Sequence, residues 1–275
     1  MNNPVVSVLI SVRDGASFLR QAVDSLLCQS YREWEFVAID DGSADATGNI
    51  LDEYAASDDR IRVFHQENRG LSTSLAEGLG EARGIYVARL DADDVMLPGR
   101  LQAQVALLES QPEVVLVGSA AEFLDERGEV RCMYVMPTDS KAVRRALIRY
   151  NPFFHSSVMF RTEAASRVGG YDGQLKAGQD YDLWMRLSRI GQVVNLAEPY
   201  IQLRIRQGSV TRTHRRDQMR VGLRVQWRAV RNGWYSPFCL RHMWKSLLYL
   251  MLPDLAMSLV YRARFRRNKG LVTAN

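Results

Sequence analysis

Cysteine is scarce: the 275 residues hold three, Cys28, Cys132 and Cys239, widely spaced and without a Cys-x-x-Cys pair. An odd, scattered set argues against a disulfide framework or a zinc ribbon and fits a reducing compartment, here the cytoplasm. No clean stretch of about 20 apolar residues is present, as a membrane span would require. The nearest candidate, Met243 to Tyr261, is interrupted by Lys245, Pro253 and Asp254. A leader peptide is not expected either. Val5 to Val12 is apolar, but no basic residue precedes it and Arg13-Asp14 closes it early, so it reads as a buried strand. Internal repeats and low-complexity tracts are missing. The segment after that first strand, Arg13-Asp-Gly-Ala-Ser17, is too poor in glycine to wrap a phosphate.

What is present suffices for a large core, with 47% hydrophobic and 24% charged residues. The net charge of +5 conceals a division. Residues 212–275 hold 14 of the 36 Lys and Arg but 2 of the 31 Asp and Glu, a balance of +12, which leaves −7 for residues 1–211. The division reads as an acidic catalytic body, 1–211, carrying a basic, helical, aromatic extension, 212–275.

Along the body, hydrophobic periodicity switches repeatedly between strand and helix. Strands are expected at 5–10, 35–39, 62–64, 85–90 and 114–118, and helices at 17–29, 44–57, 71–83 and 98–110, the last with Pro98 in its first turn. Such βαβ units imply an α/β fold, a mostly parallel, doubly wound sheet flanked by helices. After about residue 118 the pattern changes. Residues 120–124 and 130–135 flank a polar Asp-Glu-Arg-Gly turn, which reads as a hairpin. Strands at 156–160 and 193–205 then surround a helix at 180–189. Residues 5–118 and 119–211 are therefore two halves of one body.

In doubly wound sheets ligands sit at the carboxyl ends of the strands, and the polar clusters fall there. Asp91-Ala92-Asp93 offers two carboxylates which, on an extended backbone, point to one side. They form a half-shell of hard oxygen ligands of the kind that Mg2+ or Mn2+ completes with phosphate oxygens and water. A solvated acidic turn is the plainer reading. Asp40-Asp41-Gly42-Ser43 follows the second strand. Its carboxylates can accept an imide N–H or a ribose hydroxyl, Gly42 permits a tight exit, and Ser43 can cap the next helix. In Gly178-Gln-Asp-Tyr-Asp-Leu-Trp184, Asp180 and Trp184 share a helix face at i,i+4, an acid beside an aromatic platform that suits a sugar. Favourable charge at a helix N-terminus accounts equally well for Asp180 and Asp182.

These stretches, with Val6-Ser-Val-Leu-Ile10, Glu67-Asn-Arg-Gly70, Gly84 to Asp94, His155-Ser-Ser-Val-Met-Phe160 and Gly169-Gly-Tyr-Asp172, stand in an order that resembles the family 2 glycosyltransferases of GT-A fold, across roughly residues 5–211. The resemblance implies an inverting, metal-dependent hexosyltransferase of the bacterial cell-surface glycan type. It would use a nucleotide-diphosphate sugar, UDP-linked by expectation, and a glycan or polyprenyl-linked acceptor. By position it assigns Ser11, Arg13, Asp40 and Asp41 to the nucleoside pocket, Asp91 to ribose or metal, Asp93 to the metal and Asp180 to the general base. Gly170 and Trp184 would border the acceptor site. His155 is either a structural hydrogen-bonding residue or part of the acceptor wall.

The chain also departs from the pattern. Ser11-Val-Arg-Asp14 stands where the family carries an aromatic residue that stacks on the base, and Arg13 can stack instead. Leu75 and Ala76 replace a frequent Arg and Asn, and Gln179 replaces the usual Glu before the base. Arg206 stands where His is frequent and can pair with the diphosphate. A nucleotidyltransferase would need the glycine-rich loop that is missing, and a non-catalytic sugar-binding subunit would not need Asp91, Asp93 and Asp180 together. No nucleic-acid module accompanies the positive charge, so nucleic acid is not an expected partner. In the extension, Trp227, Trp234, Trp244, Phe238 and Tyr249 lie among the bases, and Leu247 to Leu252 is apolar. That composition fits the anionic inner face of a membrane, bound peripherally. Packing on the body, or pairing into a homodimer, is the other reading of these helices.

Overall fold

The β-branched run near the start of the chain forms β1 (Val6–Val12), buried along its whole length. The computed structural model describes residues 4–125, 128–204 and 215–251. After β1 come α1 (Ala16–Leu27), β2 (Trp34–Asp41), α2 (Thr47–Ser57), β3 (Ile61–Gln66), α3 (Leu71–Glu81), β4 (Tyr86–Arg89), a short β5 (Val95–Met96) and α4 (Arg100–Ser110). Every expected helix and strand of this half is present. Pro98, however, precedes the N-cap Gly99 of α4 and is not in its first turn. The second half holds β6 (Val114–Leu124), β7 (Val130–Tyr134), α5 (Ser140–Leu147), a 3₁₀ turn at His155–Ser157, β8 (Met159–Arg161), α6 (Thr162–Arg167), α7 (Gln179–Leu187) and β9 (Gln192–Arg204). Two helices, α8 (Arg215–Arg231) and α9 (Met243–Met251), follow.

The strands form one sheet in the order β3-β2-β1-β4-β8-β6-β9-β5, with β7 hydrogen-bonded to β6. From β3 to β4 all pairing is parallel. Beyond β4 it is mixed. β8 runs antiparallel to both β4 and β6, β6 runs parallel to β9, and β5 runs antiparallel to β9. The expected hairpin is present as β6 and β7, with Ala121 opposite Tyr134. The insertion of β8 matters for function. The Arg89 N–H donates to the Val158 carbonyl at 2.9 Å, so the turn before β8 lies against the carboxyl end of β4.

Both faces of the sheet are covered, and side chains alternate between them with the period of two that a strand imposes. Val6, Val8, Ile10, Trp34, Phe36 and Ala38 face α1, α2 and α4. Leu9, Val37 and Ile39 face α3 and the second-half helices. That second core also takes in Val221, Val225 and Ala229 of α8, packed with Leu183 and Tyr181 of α7. One face of the basic extension is thus part of the body's core. An arginine of α8 also reaches the body, where the Arg228 Nη2 donates to buried Asp182 at 2.5 Å.

Candidate active site

At the carboxyl end of β4 the chain turns sharply. The Asp94 N–H donates to the Asp91 carbonyl at 3.2 Å. Asp91-Ala-Asp93 is therefore a turn, and the extended geometry expected for it is corrected: β4 ends at Arg89 and the tight loop follows. The loop is braced from the second half, where Ser156 Oγ accepts the Asp91 N–H at 3.0 Å. Beneath it lies Arg89, fully buried. Its Nη2 donates to Asp91 Oδ1 at 2.5 Å, its Nε to His155 Nε2 at 3.1 Å, and its Nη1 to the Leu9 carbonyl. Burial acts to raise the Asp91 carboxyl, but the Arg89 guanidinium, with the Ser156 hydrogen bond and Arg100, outweighs it and holds the group below its ordinary value. Asp94 goes the other way: burial, then the neighbouring Asp91 and Asp93, push it above its ordinary value.

His155 makes structural hydrogen bonds in this network. Arg89 can only donate, so Nε2 of His155 is an acceptor and the proton sits on Nδ1. The same Nε2 also lies 3.1 Å from the Tyr171 hydroxyl. Burial first, and Arg89 second, lower the imidazole's pKa, which keeps it neutral.

The opposite wall is built by α7. Asp180 sits half-buried in its first turn, where negative charge is favoured. Its Oδ2 accepts from Asn151 Nδ2 at 2.7 Å. The Asn151 amide is oriented by its other end, since Oδ1 accepts the Phe153 N–H at 3.2 Å. Two residues on, Asp182 is buried and paired with Arg186 at 2.7 Å as well as with Arg228. Trp184 is 0% exposed, wedged among Phe153, His155, Phe160 and Tyr171 with ring centroids 5.6–6.3 Å away. The open sugar platform expected of it is corrected on that ground: the ring has no free face, and it supports the site from below. Gly170 has φ +63° and donates its N–H to the Ala165 carbonyl at 2.8 Å, ending α6 in a left-handed cap that sends Tyr171 toward His155.

The strand ends of β1 and β2 make the third wall. Ser11 and Asp40 are buried there, and Arg13 is exposed beside Asp14. Asp40 accepts the Ser43 N–H at 3.1 Å and lies 3.0 Å from His65 Nδ1, whose other nitrogen is 3.0 Å from Asp52. Asp41 accepts from Gln66 Nε2 and the N–H groups of Arg69 and Gly70, at 2.7–3.0 Å, and so shapes the β3–α3 loop. Gly42 has φ +71°, and a Cβ there would lie 2.7 Å from the Asn68 nitrogen, so the tight exit requires glycine. Ser43 does not cap α2; its Oγ accepts the Asp14 N–H at 3.0 Å. Gly15 and Ala16 donate to Thr47 Oγ1 and Asp45, which occupies the amides at the start of α1. Those donors are not available to a phosphate, which removes the footing of the nucleotidyltransferase reading. Arg206 lies outside the described residues.

Sequence reasoning missed Arg89, Arg100, Asn151 and Tyr171. A lone arginine inside the apolar run Tyr86 to Leu90, two residues before an aspartate, was a usable signal for Arg89. Nothing local pointed to Asn151, which is 29 residues from Asp180. Among the described residues no cluster of three or more His, Cys, Asp or Glu is placed to hold a metal.

A sheet with one parallel half and one mixed half, its carboxylates gathered at the strand ends, is the GT-A architecture. The chain belongs to glycosyl transferase family 2, whose sequence profile matches residues 7–169, and it is a glycosyltransferase. EpsE of Bacillus subtilis, named as a glycosyltransferase, is 34% identical over 208 residues, covering 74% of each chain. The amylovoran biosynthesis glycosyltransferase AmsE of Erwinia amylovora is 33% identical over 207 residues, 74% of this chain and 76% of its own. Among solved structures, TarS (residues 1–349) of S. aureus in complex with UDP superimposes with a TM-score of 0.70 at 17% identity, covering 92% of this chain and 76% of that one. The mannosyltransferase PcManGT of Pyrobaculum calidifontis, in complex with GDP-Man and Mn2+, gives 0.63 at 19% identity, covering 92% and 71%. At these identities the likeness concerns the fold.

Proposed function

We propose that this glycosyltransferase moves a sugar, with inversion, from a nucleotide-diphosphate sugar to a hydroxyl of a glycan or lipid-linked acceptor in polysaccharide assembly. The observation that carries the reading is the pairing of two walls. A half-exposed carboxylate, Asp180, is held by Asn151 on one wall, and the Asp91–Asp93 turn stands on the other. The loop 151–157 joins them, since it supplies Asn151 to the first and His155 and Ser156 to the second. UDP as the nucleoside diphosphate is supported by the TarS complexes with UDP and UDP-GlcNAc, and the assembly role by the name of AmsE.

In this reading Ser11, Arg13, Asp40 and Asp41 line the nucleoside pocket, Arg13 lying flat on the base. Asp91, one-third exposed, and Asp93 fit a hard divalent ion such as Mg2+ or Mn2+, both being oxygen donors on an open turn. Bound there, the ion would neutralise charge on the departing diphosphate. Asp180 takes the proton from the acceptor hydroxyl through Oδ1, the oxygen not bonded to Asn151. The acceptor oxygen bonds to the anomeric carbon from the opposite face as the bond to the diphosphate oxygen breaks and the diphosphate leaves. Asn151 fixes the direction of the base, and Arg89 fixes Asp91. A screen of nucleotide sugars against lipid-linked glycans of the source cells, read by mass spectrometry, tests the reading. Sugar transfer by the wild-type chain but not by Asp180→Asn is expected. Donor binding with no transfer from any donor would replace it with the binding-subunit reading.

Peripheral attachment at the cytoplasmic face of a membrane is part of the proposal. Among the described residues no helix is long and apolar enough to cross a bilayer. Trp227, Phe238 and Trp244 are 52%, 68% and 56% exposed, and the Arg241 guanidinium stacks 3.9 Å over the Phe238 ring. Apolar rings rimmed by arginine fit an anionic lipid surface. Because α8 contributes to the core, the test keeps the chain whole: Phe238→Ser with Trp244→Ser should abolish co-sedimentation with phosphatidylglycerol vesicles. Undiminished binding, or a stable dimer lost in the variant, would overturn this part.

A further inference from the structure

Burial of Trp184 leaves the acceptor sugar without the aromatic face that its apolar C–H surface calls for, and a different set of rings is linked to the site through the loop that carries Asn151 and Ser156. On the β6–β7 hairpin, Ala121 pairs with Tyr134 and Phe123 with Cys132, so Phe123 and Tyr134 are diagonal neighbours on one face. Their ring centroids are 6.5 Å apart, and Phe154 meets both edge-on, 5.6 Å from Phe123 and 6.4 Å from Tyr134. Tyr134 is 42% exposed, which is high for a ring held by two aromatic neighbours.

The trio is tied to the reaction centre on both sides. Phe154 belongs to the loop that holds Asp180 through Asn151 and Asp91 through Ser156. Phe123 is paired with Leu203 of β9, and the next residue, Arg204, donates its N–H to Asp94 Oδ1 at 3.2 Å. An edge-to-face trio is rigid, so it can receive a pyranose ring with little loss of side-chain freedom. The ring offers an apolar C–H face to stack on Tyr134, and its hydroxyls remain free for solvent and for the base.

We infer that Phe123, Tyr134 and Phe154 form the acceptor-saccharide subsite, Tyr134 being the ring that stacks on the sugar. The inference rests on the glycosyl-transfer reading of Asp180, and it specifies a carbohydrate, not a lipid chain, as the occupant.

Saturation-transfer NMR tests it without turnover. The probes are oligosaccharides released by mild acid from the lipid fraction of the source cells and, separately, geranyl phosphate. The wild-type chain and Tyr134→Phe should both saturate sugar C–H protons, and Tyr134→Ala should lose at least about three-quarters of that signal. Thermal melts of the three proteins control for unfolding. Equal sugar signal in Tyr134→Ala, or saturation confined to the geranyl protons, overturns the subsite. Under turnover with the donor found in the screen, Tyr134→Ala should raise the acceptor KM roughly tenfold and leave donor KM and slow donor hydrolysis unchanged. A rise in donor KM instead would also overturn it. Absence of transfer and hydrolysis in the wild type, with the saccharide still bound at Tyr134, would sink the catalytic reading and leave the subsite standing.

Discussion

The two halves of the sheet organise their polar groups in different ways. From β3 to β2 and β1, the loops satisfy their carboxylates largely with backbone N–H groups. Asp40, Asp41, Asp14 and Asp45 accept backbone N–H groups from their own or the neighbouring loop. At the end of β4 and in the mixed half the partners are side chains instead: Arg89 for Asp91 and His155, Asn151 for Asp180, Arg228 for Asp182. The first arrangement makes a rigid floor whose parts are individually replaceable. The second makes a single residue decisive wherever the group it holds has one side-chain partner among the described residues, as Asp180 has Asn151.

The largest effect expected from breaking that contrast is at Asp180. Asp180→Asn should lower turnover by roughly 10²–10⁴-fold, the usual worth of a general base, with donor affinity unchanged. Collapse of donor binding in a titration, with normal turnover of whatever binds, would assign Asp180 to the donor instead.

Next comes Arg89. Arg89→Met removes a buried cation and leaves Asp91 without its partner, which should cost about 3 kcal/mol of stability in a denaturant titration. The figure sits at the low end for a broken buried pair because Asp91 is one-third exposed and can recover some hydration. A loss below about 1 kcal/mol would show that the β4 end is as self-sufficient as the β2 end.

Arg228→Ala sharpens the comparison from the other side. Asp182 keeps Arg186, so the loss should be near 1 kcal/mol, the scale of a single charge-assisted hydrogen bond at a partly open site. A much larger loss would mean that α8 docks chiefly through this ion pair and not through Val221, Val225 and Ala229.

The smallest effect concerns pH. Asp52 first, and Asp40 second, raise the His65 pKa above its ordinary value against a modest burial penalty. A raised folded-state pKa stabilises fully below the unfolded value of about 6.5 and loses that contribution as pH climbs through the folded value. His65→Asn should therefore narrow the difference in melting temperature between pH 5.5 and pH 8.5, losing more at the acid end. An equal shift at both pH values would show that the imidazolium contributes nothing.

Legibility followed the same division. The strands and helices of residues 5–118 were readable because hydrophobic period and loop composition are local signals. The hairpin of residues 120–135 was readable for the same reason. The carboxylate clusters were found because they follow strands in sequence. Trp184 was misread because i,i+4 spacing fixes a helix face but not what covers it. The Asp91–Asp93 loop was misread because strand length depends on pairing with β8, which lies 70 residues later.

By itself, then, the sequence determined the βαβ alternation, the two-sided burial of the sheet, the carboxylates at the strand ends and the division of charge between body and extension. The first three depend on neighbours within about a dozen residues, and the fourth on composition alone. Only the tertiary structure decided that β8 enters between β4 and β6, that Asn151 meets Asp180, that Trp184 is covered and Tyr134 is not, and that α8 closes the second core. Those outcomes depend on which distant segments pack together, and side-chain packing and charge pairing at long range leave no period in the chain.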